Sequence, residues 1–483
     1  MNNNSLKKLT IRTPKTMGCS LISTIVFQSL KQAFPDLKIT VLTKFPELFQ
    51  NNKYVNNIEV DNNNQTKSSA DVDLFDYLRK RNLYDDNVTY PVEHLAIHQL
   101  AEAEAQIRIK TKLPKDINPT LSITNNEMWE AEKIVKKKLK GRPFIWLQTQ
   151  SSLSEKNLPE GFWEKIINNN PQFSFIDLSL KKYNPRISAA ITLFCEAGIT
   201  LDTYLSHASH TVGSKNVIVL LVKKSSDPEM VAYSEQIIID GRENKSILDC
   251  GNVSQKLSNI VTQNKKIPEV MPSEIIADNI TSVIIEEGEV DGNINTYELD
   301  IINKFVKIYQ PKNIFEFGTF DGRTTLNMAI NTSDKSKIYT IDIPVSLMDN
   351  TKFKLYSKII RGVKVRDDIN YIDKAKVGLR YKNKNGSEKI EQLFGDSATF
   401  NYSPFYDKMD LIFIDGSHAK DYIINDTETA MHMAKTGCVI LWHDYGSWED
   451  VTNVLNNYFI NDKRFSELKR IKGTRLVFLI VAR

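Results

Sequence analysis

The chain has 483 residues, 41% hydrophobic and 25% charged, which is apolar material for several cores and roughly two to four domains at the usual ~100–200 residues each. Lys and Arg number 63 against 59 Asp and Glu, and a balance of +4 argues against nucleic acid or an anionic membrane as a partner. Cys19, Cys195, Cys250 and Cys438 lack metal or disulfide spacing and read as reduced thiols. There is no signal-type stretch and no apolar run long enough to span a bilayer, so the expected location is cytoplasmic, with a peripheral position at the inner membrane face as an option.

In chain order, 9–12 reads as a short strand, a loop with Gly18 leads into a helix over 21–34, and strands follow at 38–42 and up to Val60. This β-loop-α-β start is doubly wound, but little room remains for later strands before Glu127. A helix over 127–138 leads to a strand over 143–148. Helices at 161–167, 186–195 and 206–212 then alternate with strands at 174–178, 198–201 and 216–222, a second Rossmann-like unit. The expected boundaries are 1–125 and 126–263 for these units, then a linker over 264–284 marked by Pro268 and Pro272, then a last domain over 285–483.

The last domain holds the densest chemistry. Phe315-Glu316-Phe317-Gly318-Thr319-Phe320-Asp321-Gly322 closes an apolar strand and opens a helix, and the next strand, 337–342, ends on Asp342. A strand over 390–394 precedes Gly395-Asp396-Ser397, one over 410–415 ends on Asp415 before Gly416-Ser417-His418, and one from Gly437 ends on His443-Asp444. Parallel strands would bring Glu316, Asp342, Asp396, Asp415 and Asp444 to one sheet edge. Glycines let backbone approach a ligand, and a helix start offers free N–H groups. Asp342 can accept two ribose hydroxyls. The Glu-x-Gly-x-x-x-Gly spacing differs from the dinucleotide pattern, so a cofactor without phosphates, such as S-adenosylmethionine, fits better, with Glu316 meeting its amino group. Methyl transfer to a hydroxyl needs alignment and a route for the proton. A hard cation such as Mg²⁺ on Asp415 and Asp444, with His443 as a third ligand, can supply alignment; His418 as general base is the metal-free alternative.

The segments FEFGTFDGRTTLNMA, IYTIDIP, QLFGDSATFNYSPF, DLIFIDGSHAKDYIINDTETAM and GCVILWHDYGSWEDV resemble class I S-adenosylmethionine-dependent methyltransferases of family 24, over about 297–483. That branch is related to metal-assisted sugar and catechol O-methyltransferases. The resemblance implies cofactor contacts at Glu316, Gly318, Thr319, Asp342, Asp396 and Ser397, with Gly322 completing the turn. Lys420 stands where an aromatic residue is common.

The segments KLTIRTPKTMGCSLISTIVFQSLKQAFPDLKITVLTK, PFIWLQTQSSLSEKNLPEGFWEKI and LFCEAGITLDTYLSHASHTVGSKNVIVLLV resemble glycosyltransferase family 9, the heptosyltransferases, over about 7–262. This implies a GT-B-like pair of Rossmann-type units with a nucleotide-sugar donor site at Lys156, Asp202 and His207. Cys19 replaces the family's aspartate after the glycine, and Tyr204 replaces a small glycine and is expected to crowd a phosphate. The expectation is an O-methyltransferase acting on a sugar hydroxyl of a surface glycan, fused to a glycosyltransferase-like region. The alternative is a monofunctional methyltransferase whose N-terminal half is a non-catalytic glycan- or protein-binding scaffold.

Overall fold

The structure is a computed structural model that describes residues 6–62, 70–74, 91–112, 118–138, 142–151, 154–179, 182–222, 233, 235–242, 248–262, 267–285, 292–360, 363–371 and 377–482. They form two compact units, Met1–Asn264 and Lys265–Arg483.

In the first unit, strands β1 (Lys8–Arg12), β2 (Lys38–Thr43), β3 (Asn57–Val60) and β4 (Val72–Asp73) pair in parallel in the order β3-β2-β1-β4. The expected helix over 21–34 is two helices, α1 (Met17–Ile22) and α2 (Thr24–Ala33). The break follows from local competition for carbonyls, because the Ser23 hydroxyl donates to Ser20 O and that of Thr24 to Leu21 O. Helix α3 (Pro91–Ile107) follows, then α4 (Asn125–Lys138). Thr124 and Glu127 form a reciprocal cap at the start of α4. The Glu127 carboxylate accepts from Thr124 N at 2.7 Å, and the Thr124 hydroxyl accepts from Glu127 N at 3.3 Å.

The second sheet of this unit contains β5 (Phe144–Leu147), β6 (Ser174–Asp177), β7 (Ala197–Leu201), β8 (Val217–Leu221) and β9 (Ile237–Asp240), all parallel, in the order β6-β5-β7-β8-β9. Its three central strands, β5, β7 and β8, are buried on both faces, which explains their near-continuous apolar runs. Around them lie α5 (Phe162–Asn168), α6 (Pro185–Thr192), α7 (Tyr204–Thr211) and α8 (Cys250–Thr262). Arg186 of α6 is buried. Its guanidinium donates to both carboxylate oxygens of Glu127 at 2.6 Å and to the carbonyl of Gln50 at 2.9 Å, tying this layer to the one before it.

The second unit is one eight-stranded sheet. Its strands are β10 (Glu269–Val270), β11 (Asn313–Phe317), β12 (Lys337–Asp342), β15 (Ile390–Phe394), β16 (Met409–Ile414), β17 (Ala434–Trp442), β18 (Lys469–Ile471) and β19 (Val477–Ile480), in the order β10-β18-β19-β17-β16-β11-β12-β15. A separate antiparallel hairpin, β13 (Ser357–Ile360) and β14 (Val363–Asp367), lies between β12 and β15 in the chain. The main helices are α9 (Pro272–Ile275), α10 (Thr296–Tyr309), α11 (Arg323–Asn331), α12 (Lys420–Met433) and α13 (Glu449–Asn461). Strands β15, β12, β11, β16 and β17 are parallel, and β19 returns antiparallel to β17. The segment expected as a linker is partly structure of this unit, since β10 pairs with β18; its residues 264–266 lie outside the described ones.

Candidate active site

Strand order in the C-terminal sheet reverses between β11 and β16, and ligands of open α/β sheets bind beyond the strand ends at such a point. An open cleft lies there. Gly318, Asp342, Asp396, Ser397 and Asp415 line it. Gly318 has φ +90°, and a Cβ at that position would stand 2.1 Å from the carbonyl oxygen of Asp415. Only glycine lets the β11 turn lie this close to the end of β16.

Asp342 is aimed by the same turn. Its carboxylate accepts from Phe320 N at 2.9 Å and Ile343 N at 2.8 Å, which fixes it at the cleft wall. Asp396 accepts from Ala398 N, Lys352 N and the Tyr422 hydroxyl, so it also clamps the surrounding loops. Glu316, Thr319 and Gly322 are not among the residues that line the cleft, and Thr319 and Gly322 hold the turn beside it. Gly322, at φ +84°, caps α11 and packs against Tyr381. The Thr319 hydroxyl bonds Thr340 and Gln392. Glu316 is fully buried inside β11. One carboxylate oxygen accepts from Thr325 and Thr340, whereas Oε1 has no partner. Burial, helped by nearby Asp415 and Asp342, pushes its pKa up to about 8.

Beside this cleft runs a chain of alternating charges. The His418 ring lies 2.7 Å from Asp368 through Nδ1 and 2.8 Å from Asp444 through Nε2, and it stacks on Trp448 at 3.6 Å. Arg475 donates to Asp444 at 3.1 Å and to Glu298 at 2.9 Å. His443 closes the chain between Glu298 at 3.1 Å and Asp415 at 3.0 Å. Burial alone would lower the His418 pKa, but its two carboxylate partners outweigh that and raise it to about 9. His443 is likewise raised well above its ordinary value against the effect of burial, by Asp415 and Asp444. Asp444 is held well below the usual carboxylate range despite burial, by His443 and His418. Its backbone sits at φ +62°, the left-handed region, where strain often accompanies function.

His443, expected as a metal ligand, has a carboxylate at each ring nitrogen, as does His418; Asp415, His418 and Asp444 each offer one atom within 4.8 Å of the others and could together hold a cation. Asp368, Glu298 and Arg475 are missing from the expected site. Asp368 follows the hairpin, Glu298 resembles a helix-start acid, and Arg475 sits between antiparallel strands, so none carries a strand-tip signal.

In the N-terminal unit, Lys156 and Asp202 come from loops after β5 and β7, where that sheet reverses order. They meet each other. The Lys156 ammonium donates to the Asp202 carboxylate at 2.6 Å and to its carbonyl at 2.8 Å. His207 is buried, bonded to the Tyr233 hydroxyl at 3.0 Å, and burial chiefly lowers its pKa to about 4. A Cβ on Gly18 would stand 3.0 Å from the His207 ring, so α1 and α7 meet at that glycine. The carbonyl of the adjacent Cys19 accepts from Gln99. Tyr204 turns into the core, and its hydroxyl donates to Pro185 O at 3.3 Å instead of crowding a ligand.

Fold and site together define a doubly wound α/β enzyme with a ligand cleft at its switch point. Residues 315–445 match the family model described as a methyltransferase domain, so the C-terminal unit carries a methyltransferase domain. No curated protein matches the chain in sequence. Among solved structures, the glycosyl transferase family 9 protein from Veillonella parvula is 13% identical, with 54% of this chain and 98% of that one covered, at a TM-score of 0.41. ADP-heptose lps heptosyltransferase II from E. coli is 12% identical, with 53% and 99% covered, at 0.40. The O-methyltransferase TomG from Streptomyces achromogenes, solved in complex with SAM, is 13% identical, with 40% and 83% covered, at 0.27. At such identities and overlaps the likeness is one of chain path and not of activity. No helix among the described residues is long and apolar enough to cross a membrane.

Proposed function

We propose that residues 285–483 transfer a methyl group from S-adenosylmethionine to a hydroxyl, with a sugar hydroxyl of a surface glycan as the acceptor. One observation carries this reading: the switch-point cleft and the Asp415, His418 and Asp444 group lie at the same strand ends, within the stretch matched as a methyltransferase domain. The residues fit the cofactor. Gly318 lets the β11 turn close on the end of β16 at the cleft wall, Asp342 lines the cleft with a carboxylate suited to ribose hydroxyls, and Glu316 Oε1 is a buried acceptor without a partner, suited to an ammonium group. When bound, S-adenosylmethionine supplies the electrophilic methyl.

On the acceptor side, Asp415, His418 and Asp444 suit a hard divalent cation such as Mg²⁺, which when bound fixes the acceptor oxygen and lowers its pKa. Asp368 keeps the Nδ1 hydrogen of His418, which leaves Nε2 to act as the ligand nitrogen. With a pKa of about 9, His418 is an imidazolium at neutral pH, so it must give up its Nε2 proton before it can serve either as a cation ligand or as a general base. Calorimetry of the full chain with S-adenosylhomocysteine tests the cofactor. Binding weakened about 10- to 100-fold in Asp342→Ala is expected from loss of a charged hydrogen-bond partner; no binding by the wild type would reject the reading.

For the N-terminal unit, the Lys156–Asp202 pair and the contact of Gly18 with His207 favour a glycan-holding scaffold over an active glycosyltransferase. Fusion of such a scaffold to the methyltransferase would raise the local acceptor concentration. Titration of the full chain with a panel of nucleotide sugars is expected to show no binding. Donor binding that Lys156→Ala abolishes would restore the glycosyltransferase reading.

A further inference from the structure

We infer that Asp426 reads the amino-bearing edge of the cofactor's purine base, an inference that rests on the methyltransferase reading of the same cleft. Asp426 lies mid-helix in α12, where aspartate has no helix-forming reason to be, and it lines the cleft while only 2% exposed. Its place along the cleft follows from register. Asp342, the ribose acceptor, pairs across the sheet with Phe394, so the turn at Gly395, Asp396 and Ser397 is the next wall beyond the ribose position. Helix α12 is drawn against that turn, since Tyr422 donates to Asp396 at 2.9 Å and Asn425 to Ser397 O at 3.2 Å. A base attached to a ribose at Asp342 would therefore extend toward Asp426.

The chemistry of the two acids on this wall differs. The Asp396 carboxylate already takes three donors from the protein. Asp426 is bonded by the Asn425 amide and the Ser397 hydroxyl, and burial, without a cation among the causes acting on it, pushes its pKa up to about 7. A carboxyl that keeps its proton near neutrality offers a donor and an acceptor side by side. Adenine presents the matching pair, N1 as acceptor and the 6-amino group as donor.

The test is calorimetry on the full chain with S-adenosylhomocysteine and with its analogue lacking the 6-amino group. Wild-type protein is expected to prefer the amino-bearing ligand by about 10- to 100-fold, the cost of leaving a buried polar group unpaired. Asp426→Ala, or Asp426→Leu as a closer isostere should the alanine variant not melt cooperatively, is expected to erase that preference. Asp426→Asn keeps a donor and an acceptor and is expected to retain it. A cooperatively folded Ala or Leu variant with the full wild-type preference overturns the assignment and leaves the methyltransferase reading intact. Failure of the wild type to bind S-adenosylhomocysteine at all overturns both.

Discussion

At the strand-order reversal of the N-terminal unit, Lys156 and Asp202 close on each other at 2.6 Å and His207 is buried neutral beside them. At the corresponding reversal of the C-terminal unit, Asp368, Asp444, Glu298 and Asp415 face, among the described residues, His418, His443 and Arg475 as cations, beside an open cleft. Both places have charged residues at parallel strand tips. They differ in whether charge is left over once the protein has satisfied itself. A tip motif whose ion pair is internally complete contributes stability. A tip motif with an excess of one sign beside open space is prepared for a ligand of the other sign.

Several perturbations break or sharpen that contrast. The largest effect is expected for Gly318→Ala, whose Cβ would enter the Asp415 carbonyl at a positive φ. Loss of S-adenosylhomocysteine affinity by about 100-fold or more is expected from this close approach; calorimetry reading near-wild-type affinity would remove the glycine turn from the site. Next is Asp444→Asn. Mn²⁺ binding followed by electron paramagnetic resonance should fall on the order of 100-fold, at least the loss produced by changing a ligand's own support. Binding of S-adenosylhomocysteine should stay close to wild type, and full Mn²⁺ affinity in this variant would end the cation proposal.

A smaller loss, about 10-fold in Mn²⁺ affinity, is expected for Asp368→Asn, because the amide still accepts the His418 hydrogen but no longer carries charge. No change would reduce Asp368 to a loop anchor. The pH dependence is set by Glu316, whose carboxyl is raised to about 8 and so is mostly protonated below that pH. A ligand ammonium favours the carboxylate, so binding below pH 8 must expel a proton. Affinity for S-adenosylhomocysteine should strengthen by at most about tenfold per pH unit as pH rises toward 8. Glu316→Gln should be flat over the same range, and a variant that keeps the slope would assign it elsewhere. The mildest effect belongs to the other unit. Lys156→Met should lower stability by about 1–3 kcal/mol through the stranded Asp202 carboxylate, measured by denaturant unfolding.

Much of the C-terminal unit is legible in its residues. Apolar runs bounded by glycine and acid place β12 and β15 at their observed limits, 337–342 and 390–394, and put Gly318, Asp342, Asp396 and Asp415 around one cleft. These signals are local, because strand period and turn chemistry are set by neighbouring residues. The break between α1 and α2 was hidden by an apolar pattern that continues through Ser23, although hydroxyl competition for carbonyls decided the geometry. Charge pairing is different in kind. His418 meets Asp368 across 50 residues of chain, and Arg475 meets Glu298 across 177. Whether an acid at a strand tip is a free ligand, a clamp or half of a closed pair depends on which distant side chain the fold brings within about 3 Å, the range of a hydrogen bond. The sequence alone thus determined the strands, the glycine turn and the row of acids. Only the tertiary structure decided that Lys156 and Asp202 neutralise each other, that His443 is enclosed by carboxylates, and that His418 stands beside Asp415 and Asp444, because electrostatic pairing follows distance in space and not order along the chain.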